Sequence, residues 1–303
     1  MVYFTFIPTT RLGNWLFQYA TAMALSDDVA GYMPVPRMRE MLEPYRDIFG
    51  KLKISDALPP GIRVHADNAS GTYEPIPHDG EDLCLKGYFQ SEKYFKGSAA
   101  KVREAFAMTP ERRGYLQAKY GEWLSRPNVT GLSVRRGDYL KLPYRYPLMN
   151  RGYFRRCFEK LSKCNDFIVC SDDISWCKIW LPKWFPGKRF CFVEGESVLD
   201  QLYIHSLCQN NIISNSSFSW WGAWLNENPS KRVLLPRTWF GPEARHYGNY
   251  GLDIAAEGWE RVPNYQMPLE WLRGQAMAWW RIFKRTFYPV KRFITVNILG
   301  GTH

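Results

Sequence analysis

From residue 129 to residue 235, short apolar and β-branched runs alternate with amphipathic stretches, and no other feature limits the fold of this chain as much. Val129–Val134, Phe167–Cys170, Arg189–Val193, Asn211–Ser214 and Arg232–Leu235 read as buried strands. Between them, Arg151–Leu161, Ile174–Trp180, Val198–Gln209 and Trp220–Leu225 read as helices. Strand, helix, strand, helix of this kind specifies an α/β fold with a doubly wound parallel sheet. Ligands of such sheets bind in the crevice outside the carboxyl ends of the strands, so the residues leaving each strand are the first candidates for function.

The first of these strands empties into Arg135, Arg136, Gly137, Asp138 and Tyr139. Two guanidiniums at a strand exit suit an anion, because each presents a planar donor fork matched to carboxylate or phosphate. Asp138 supplies either a partner that orients one fork or a catalytic carboxylate, and a plain surface ion pair beside a turn uses the same residues. The strand Asn211–Ser214 releases Asn215, Ser216, Ser217, Phe218 and Ser219 ahead of an aromatic helix. Serine hydroxyls and backbone N–H groups converging on a helix N-terminus hold phosphate oxygens well. After Phe167–Cys170 come Ser171, Asp172 and Asp173. Adjacent aspartates fit a divalent metal, but they lack the intervening residue usual in that motif. Ser171 as an N-cap, with the acids complementing a helix dipole, is the preferred reading.

The N-terminal half is less regular. Val2–Ile7 suits a first strand, and apolar spacing from Trp15 onward gives a helix after the turn that contains Gly13 and Asn14. Gly13 permits close backbone approach, while Asn14 either caps the helix or points its amide at a ligand. Prolines punctuate residues 27–128, where Leu83–Phe89 reads as a strand with a close approach at Gly87, Ser91–Phe106 as a loop and helix, and Gly114–Leu124 as a helix. The break at Ser125–Asn128 divides the chain into domains 1–127 and 128–262, followed by a tail, 263–303.

At 303 residues the chain exceeds one comfortable core, which agrees with two domains. Its net charge of +11 calls for anionic partners, whether nucleic acid, a membrane face or a phosphorylated small molecule. No RNA-recognition signature is present, so nucleic acid is not expected. The positive charge gathers in the tail, where residues 271–303 carry Arg273, Arg281, Lys284, Arg285, Lys291 and Arg292 with no acid. Together with Trp271, Trp279, Trp280, Phe283 and Phe287, they fit a peripheral helix lying on anionic lipid, or a C-terminal helix packed across both domains. Seven cysteines without a Cys-x-x-Cys spacing read as reduced buried thiols, and five scattered histidines give no reason to expect a metal cage. Met1–Pro8 has no basic region followed by a long apolar run, so a cytoplasmic protein is expected.

Three separated blocks carry a family resemblance: Arg11-Leu-Gly-Asn-Trp-Leu-Phe-Gln-Tyr-Ala20, Ser133-Val-Arg-Arg-Gly-Asp-Tyr139 and Ile213-Ser-Asn-Ser-Ser-Phe-Ser-Trp-Trp-Gly-Ala-Trp-Leu225. With Ser171-Asp-Asp and Leu199-Asp-Gln-Leu-Tyr203 in order between them, the chain resembles the bacterial α-1,2-fucosyltransferases of glycosyltransferase family 11 over about residues 3 to 235. The resemblance implies a GT-B-like pair of Rossmann-like domains facing across a cleft, GDP-fucose as donor, no metal or other cofactor, and inversion at the fucose anomeric carbon. It implies as acceptor the 2-hydroxyl of a terminal galactose on a glycan. By position, Arg135 and Arg136 match the diphosphate-binding arginines, Asn215 through Ser219 the loop that closes on the phosphates, and Asp200 the acid that accepts from guanine N1 and N2. Gly13, Asn14 and Gln18 fall where the family's N-terminal motif reaches into the cleft, and Asp138 is the candidate proton acceptor. Ser133 stands where the family usually has His, and Thr10 where a glycine is common. The rival readings are a GDP-sugar transferase of other donor or acceptor specificity, a metal-dependent transferase built on Asp172 and Asp173, and a basic membrane-surface or RNA-binding protein.

Overall fold

Among the described residues, eleven short strands pair in two sheets, and every pairing is parallel. The computed structural model describes residues 1–68, 70–246, 251–264, 276 and 279–280. The N-terminal half runs β1 (Val2–Thr5), α1 (Leu12–Leu25), β2 (Val29–Tyr32), α2 (Arg46–Phe49), β3 (Lys53–Ser55), β4 (Arg63–Ala66), β5 (Leu83–Lys86), α3 (Ala99–Ala105) and α4 (Pro110–Leu124). The second half runs β6 (Thr130–Val134), α5 (Arg151–Lys160), β7 (Asp166–Ser171), α6 (Ile174–Trp184), β8 (Arg189–Phe192) and α7 (Val198–Leu207). It ends with β9 (Asn210–Ile212), α8 (Ser217–Trp224), β10 (Val233–Pro236), α9 (Pro242–His246) and β11 (Glu260–Val262).

The strand orders are β3-β2-β1-β5-β4 and β11-β10-β9-β6-β7-β8. In the second, the chain winds outward from β6 to β8 and then returns to wind the other way from β9. That is the Rossmann order, and its switch point lies between β6 and β9. In the first sheet the corresponding gap lies between β1 and β5. The expected pair of Rossmann-like α/β sheets is therefore present.

Alternation along the strands assigns the two faces of the second sheet. Leu132, Val134, Phe167, Val169, Ile212 and Leu234 pack with Tyr153, Phe154 and Phe158 of α5 and with Cys177 and Leu181 of α6. Their neighbours Ile168, Cys170, Ile213, Val233 and Leu235 belong to an apolar cluster that includes α7, α8 and the core of the first sheet. One continuous core thus joins the halves.

The junction is built by α1 and α8. Phe17 lies 4.5 Å from Trp220 and 5.0 Å from Trp221 between ring centroids, and Phe95 stacks on Trp221 at 5.3 Å. Trp221 Nε1 donates to the Gly13 carbonyl at 3.0 Å. A Cβ on Gly13 would lie 2.4 Å from the Phe218 nitrogen, so only glycine lets the two helix N-termini meet. Each helix starts where its preceding strand ends. Their contact therefore brings the carboxyl edges of both sheets toward one cleft.

Several expected elements differ in extent. α1 begins at Leu12 with Arg11 as its N-cap residue, which makes Asn14 a first-turn residue and not the cap. The N-cap of α6 is Asp173, which accepts from Trp176 N, while the Ser171 hydroxyl accepts from Asp173 N. Strand Leu83–Phe89 stops at Lys86, and α8 starts at Ser217, three residues ahead of the aromatic run. β2, β3, β4 and β11 were not anticipated. β3, β4 and β11 are sheet edges with polar, half-exposed sequences, so they lack the apolar run that marks an interior strand. The tail reading for 271–303 lies outside the described residues, apart from positions 276, 279 and 280.

Two predictions follow from the packing. Gly13→Ala is expected to lose about 1–3 kcal/mol in urea denaturation, because backbone must move to admit the methyl group. An unchanged midpoint would contradict the contact. His205 on α7 is 1% exposed, both ring nitrogens lack a partner among the described residues, and burial lowers its pKa from the ordinary 6.5 to about 4. The folded chain keeps this ring neutral where the unfolded chain protonates it. Stability is thus full above about pH 6.5 and falls toward pH 4, by roughly 3 kcal/mol from this group. His205→Asn should remove that part of the slope, and an identical slope in the variant would refute it.

Candidate functional site

At the switch point of the six-stranded sheet, Ser214 ties the two diverging strand exits together. Its Oγ donates to the Ser133 carbonyl at 2.8 Å and accepts from the Arg135 N–H at 3.1 Å. This places Arg135 on one side of the gap and the loop Asn215–Ser219 on the other. Tyr139 closes the same gap by donating its hydroxyl to the Asn215 carbonyl at 2.9 Å, and burial holds its phenol well above the ordinary pKa.

Both arginines are held by carboxylates. Arg135 Nη1 meets Asp172 Oδ2 at 3.0 Å and Nη2 meets Asp138 Oδ1 at 2.5 Å, with the guanidinium 5.1 Å from the Tyr139 ring centroid. Arg136 Nε meets Asp173 Oδ2 at 3.0 Å, and its guanidinium lies 3.9 Å over the Trp176 ring. The Arg136 N–H donates to Asp172 Oδ1 at 2.8 Å. Asp172 and Asp173 therefore act as arginine anchors at the first turn of α6. Asp138 is an anchor too, and the guanidinium it orients is that of Arg135, three residues before it. Its side chain is 53% exposed, so its pairing contributes little free energy and an incoming anion of higher charge can replace it. Among the described residues no cluster of three His, Cys, Asp or Glu side chains forms a metal site.

Across the gap that Ser214 spans, α8 begins without a side-chain cap, so its first N–H groups, which have no intrahelical acceptor, are not satisfied by the side chain of Ser216. Ser216 and Ser217 stand at this end and are partly exposed, as is Phe218. Ser219 is buried and donates to the carbonyls of Ser214 and Ser216, which spends its hydroxyl inside the loop. Asn215 is 2% exposed and donates to the Trp239 carbonyl at 3.0 Å, while its Oδ1 has no partner.

The other sequence-derived candidates are spread more widely. Asp200, 7% exposed, is bound by Arg112 of α4 and by the Ser197 hydroxyl at 2.5 Å. Arg112 also pairs with Asp47 at 2.8 Å, so this carboxylate belongs to a bridge between the halves. Asn14 Oδ1 accepts from Gln90 at 2.7 Å. Gln18 is 1% exposed and donates to the carbonyls of Thr5 and Gly87 at 2.8 and 2.7 Å, so it braces β1 against the exit of β5 and does not face the cleft.

A cavity of about 920 Å³, not anticipated from the sequence, lies at the carboxyl edge of the five-stranded sheet. Thr5, Tyr32, Ala66 and Lys86, the last residues of β1, β2, β4 and β5, all line it. Asp67, Tyr88 and Gln90 add polar groups, and Arg145 reaches it from the second half. The only sequence signal was Gly87, whose expected close approach is to Asp67.

Comparison with known proteins adds to this geometry. The profile of Glycosyl transferase family 11 matches residues 1–246. An α-1,2-colitosyltransferase of Escherichia coli is 32% identical over 187 residues, covering 58% of this chain and 61% of that protein. Galactoside alpha-(1,2)-fucosyltransferase 1 of Alouatta belzebul is 28% identical over 240 residues, covering 73% and 64%. The chain thus spans just over three fifths of the length of either relative. Among solved structures, fucosyltransferase NodZ from Bradyrhizobium aligns over 73% of this chain and 90% of its own at 15% identity, with a TM-score of 0.46. The two parallel strand orders establish the fold independently of that likeness.

The site makes a binding prediction of its own. Inorganic diphosphate should bind the full chain in isothermal titration, more weakly as salt rises, and Arg135→Ala should weaken it about tenfold or more. Equal affinity in the variant would remove Arg135 from the anion site.

Proposed function

The chain belongs to glycosyltransferase family 11, and from that premise we propose that it is a galactoside α-1,2-fucosyltransferase. In this reading it moves L-fucose from GDP-β-L-fucose to the 2-hydroxyl of a terminal galactose, with inversion and without a metal. The observation that carries the reading is the placement of Arg135 opposite the uncapped N-terminus of α8 across one switch point. We assign the donor to residues 128–262 and the acceptor to residues 1–127.

The chemistry follows from where charge develops. As the bond from the fucose anomeric carbon to the diphosphate oxygen lengthens, the sugar becomes oxocarbenium-like and the electron pair leaves with the diphosphate. Fixed donors at that oxygen stabilise the transition state more than the ground state. Arg135 supplies a permanent cation, and Ser216, Ser217 and the first N–H groups of α8 supply oriented dipoles. Arg136, pinned on Trp176, adds a second positive charge beside the first. Asp200 keeps lone pairs for guanine N1 and N2 beyond those taken by Arg112 and Ser197. The pairing of Asp138 with Arg135 supports its role as the group that orients the fork over a role as general base. As the acceptor oxygen bonds to the anomeric carbon late in this dissociative step, its proton passes to the departing diphosphate or to solvent.

A donor other than GDP-fucose is the second reading, since one relative bears the name of a colitosyltransferase. A panel of GDP-sugars against β-galactosides tests both. Purified protein in EDTA is expected to transfer labelled fucose to lactose, with linkage analysis placing it on the galactose 2-hydroxyl. Preference for another GDP-sugar would favour the second reading. Loss of all transfer on chelation, restored by a divalent cation, would overturn the metal-free mechanism.

A further inference from the structure

The cavity on the five-stranded sheet lies outside the diphosphate site, and one of its walls is organised around a carboxylate. Asp67 directly follows β4, and its Oδ2 accepts the backbone N–H groups of Tyr88 at 3.0 Å and Phe89 at 2.8 Å. The turn offering them is forced. Gly87 has φ +149°, where a Cβ would lie 2.1 Å from Asp67 Cβ, and Phe89 has φ 51°, in the left-handed region that a bulky side chain enters only at a cost. Backbone strain of this sort persists where its surroundings enforce it and gathers at ligand sites.

Among the described residues, the carboxylate that this turn grips has no cationic partner. Asp67 Oδ1 has the Tyr94 hydroxyl at 3.4 Å, and no Lys or Arg pairs with Asp67 among the described residues. Burial pushes its carboxyl above the usual range despite the backbone donors. A carboxylate offers acceptor positions beyond the two N–H groups, and it lines a largely apolar cavity of the size that holds small ligands. Tyr88, 39% exposed, lines the same cavity with a flat ring. An acceptor-only anion beside an aromatic face suits a neutral pyranose, whose vicinal hydroxyls donate and whose C–H face is apolar. The cavity also adjoins the diphosphate site. Arg145 lines it, and the next residue, Tyr146, stacks at 4.5 Å on Tyr139, the ring beside Arg135.

We propose that Asp67 selects the acceptor, taking hydrogen bonds from vicinal hydroxyls of a neutral pyranose that lies on Tyr88 in this cavity. The proposal rests on the reading of the chain as a galactoside transferase and names the side chains that choose the acceptor.

The test uses the full chain with saturating GDP-fucose and lactose, together with saturation-transfer NMR of lactose in the presence of GDP. Asp67→Asn keeps an oxygen for the two backbone N–H groups. It is expected to raise the lactose KM about tenfold or more while leaving GDP affinity and acceptor-free donor hydrolysis unchanged. Tyr88→Ala, which keeps its backbone N–H, is expected to move the lactose KM the same way. An unchanged lactose KM in both variants overturns the proposal. So does a parallel loss of GDP and lactose affinity in both, the mark of a carboxylate that only holds the turn. If the wild-type chain transfers no fucose to any galactoside, the proposed function fails instead. Lactose binding by NMR then still decides whether Asp67 contacts a sugar.

Discussion

The contact between the N-termini of α1 and α8, through Gly13, is the constraint on which the rest of the molecule depends. Two parallel sheets each present a ligand-binding edge, but nothing in either sheet requires those edges to face one another. Here the requirement comes from a glycine carbonyl accepting an indole N–H and from Phe17, Phe95 and Phe106 packed on Trp220 and Trp221. Burial of so many large rings is the main stabilising term in the junction. The tryptophan block is thus first an interface core, and its consequence is a cleft with one switch point on each side.

The two sides of that cleft are chemically unlike. On the six-stranded side, the guanidiniums of Arg135 and Arg136 gather at the switch point, with Asp138, Asp172 and Asp173 fixing them before any ligand arrives. Charge held in place in this way needs little rearrangement to meet an anion, apart from displacement of the exposed Asp138 carboxylate. On the five-stranded side, a gripped carboxylate and an aromatic ring line a mostly apolar cavity. The stacked rings of Tyr139 and Tyr146 link the segment beside Arg135 to Arg145, which lines that cavity. The division matches the proposed function, in which one substrate carries the charge and the other carries hydroxyls.

The sequence made the second half legible because its interior strands are buried on both faces and read as unbroken apolar runs. Arg135 and the loop Asn215–Ser219 could be placed at one rim from strand order alone. The first half hid β3 and β4 because edge strands are short and polar, and with them it hid Asp67. Partner choice was also out of reach. Whether Asp138 serves Arg135 or Arg136, or whether Ser171 or Asp173 caps α6, depends on the path of the chain over a few residues after each strand, and periodicity says nothing about that path. Gln18 shows the limit most plainly: its place in a motif suggested the cleft, while its amide is used to join β1 to β5.

A crystal structure of the full chain with bound GDP tests the central claim most directly. The diphosphate should lie within hydrogen-bonding distance of the Arg135 guanidinium and the first N–H groups of α8, with the Asp138 carboxylate moved off Nη2. A diphosphate found elsewhere, or reached only through a divalent cation held by Asp172 and Asp173, would contradict the account.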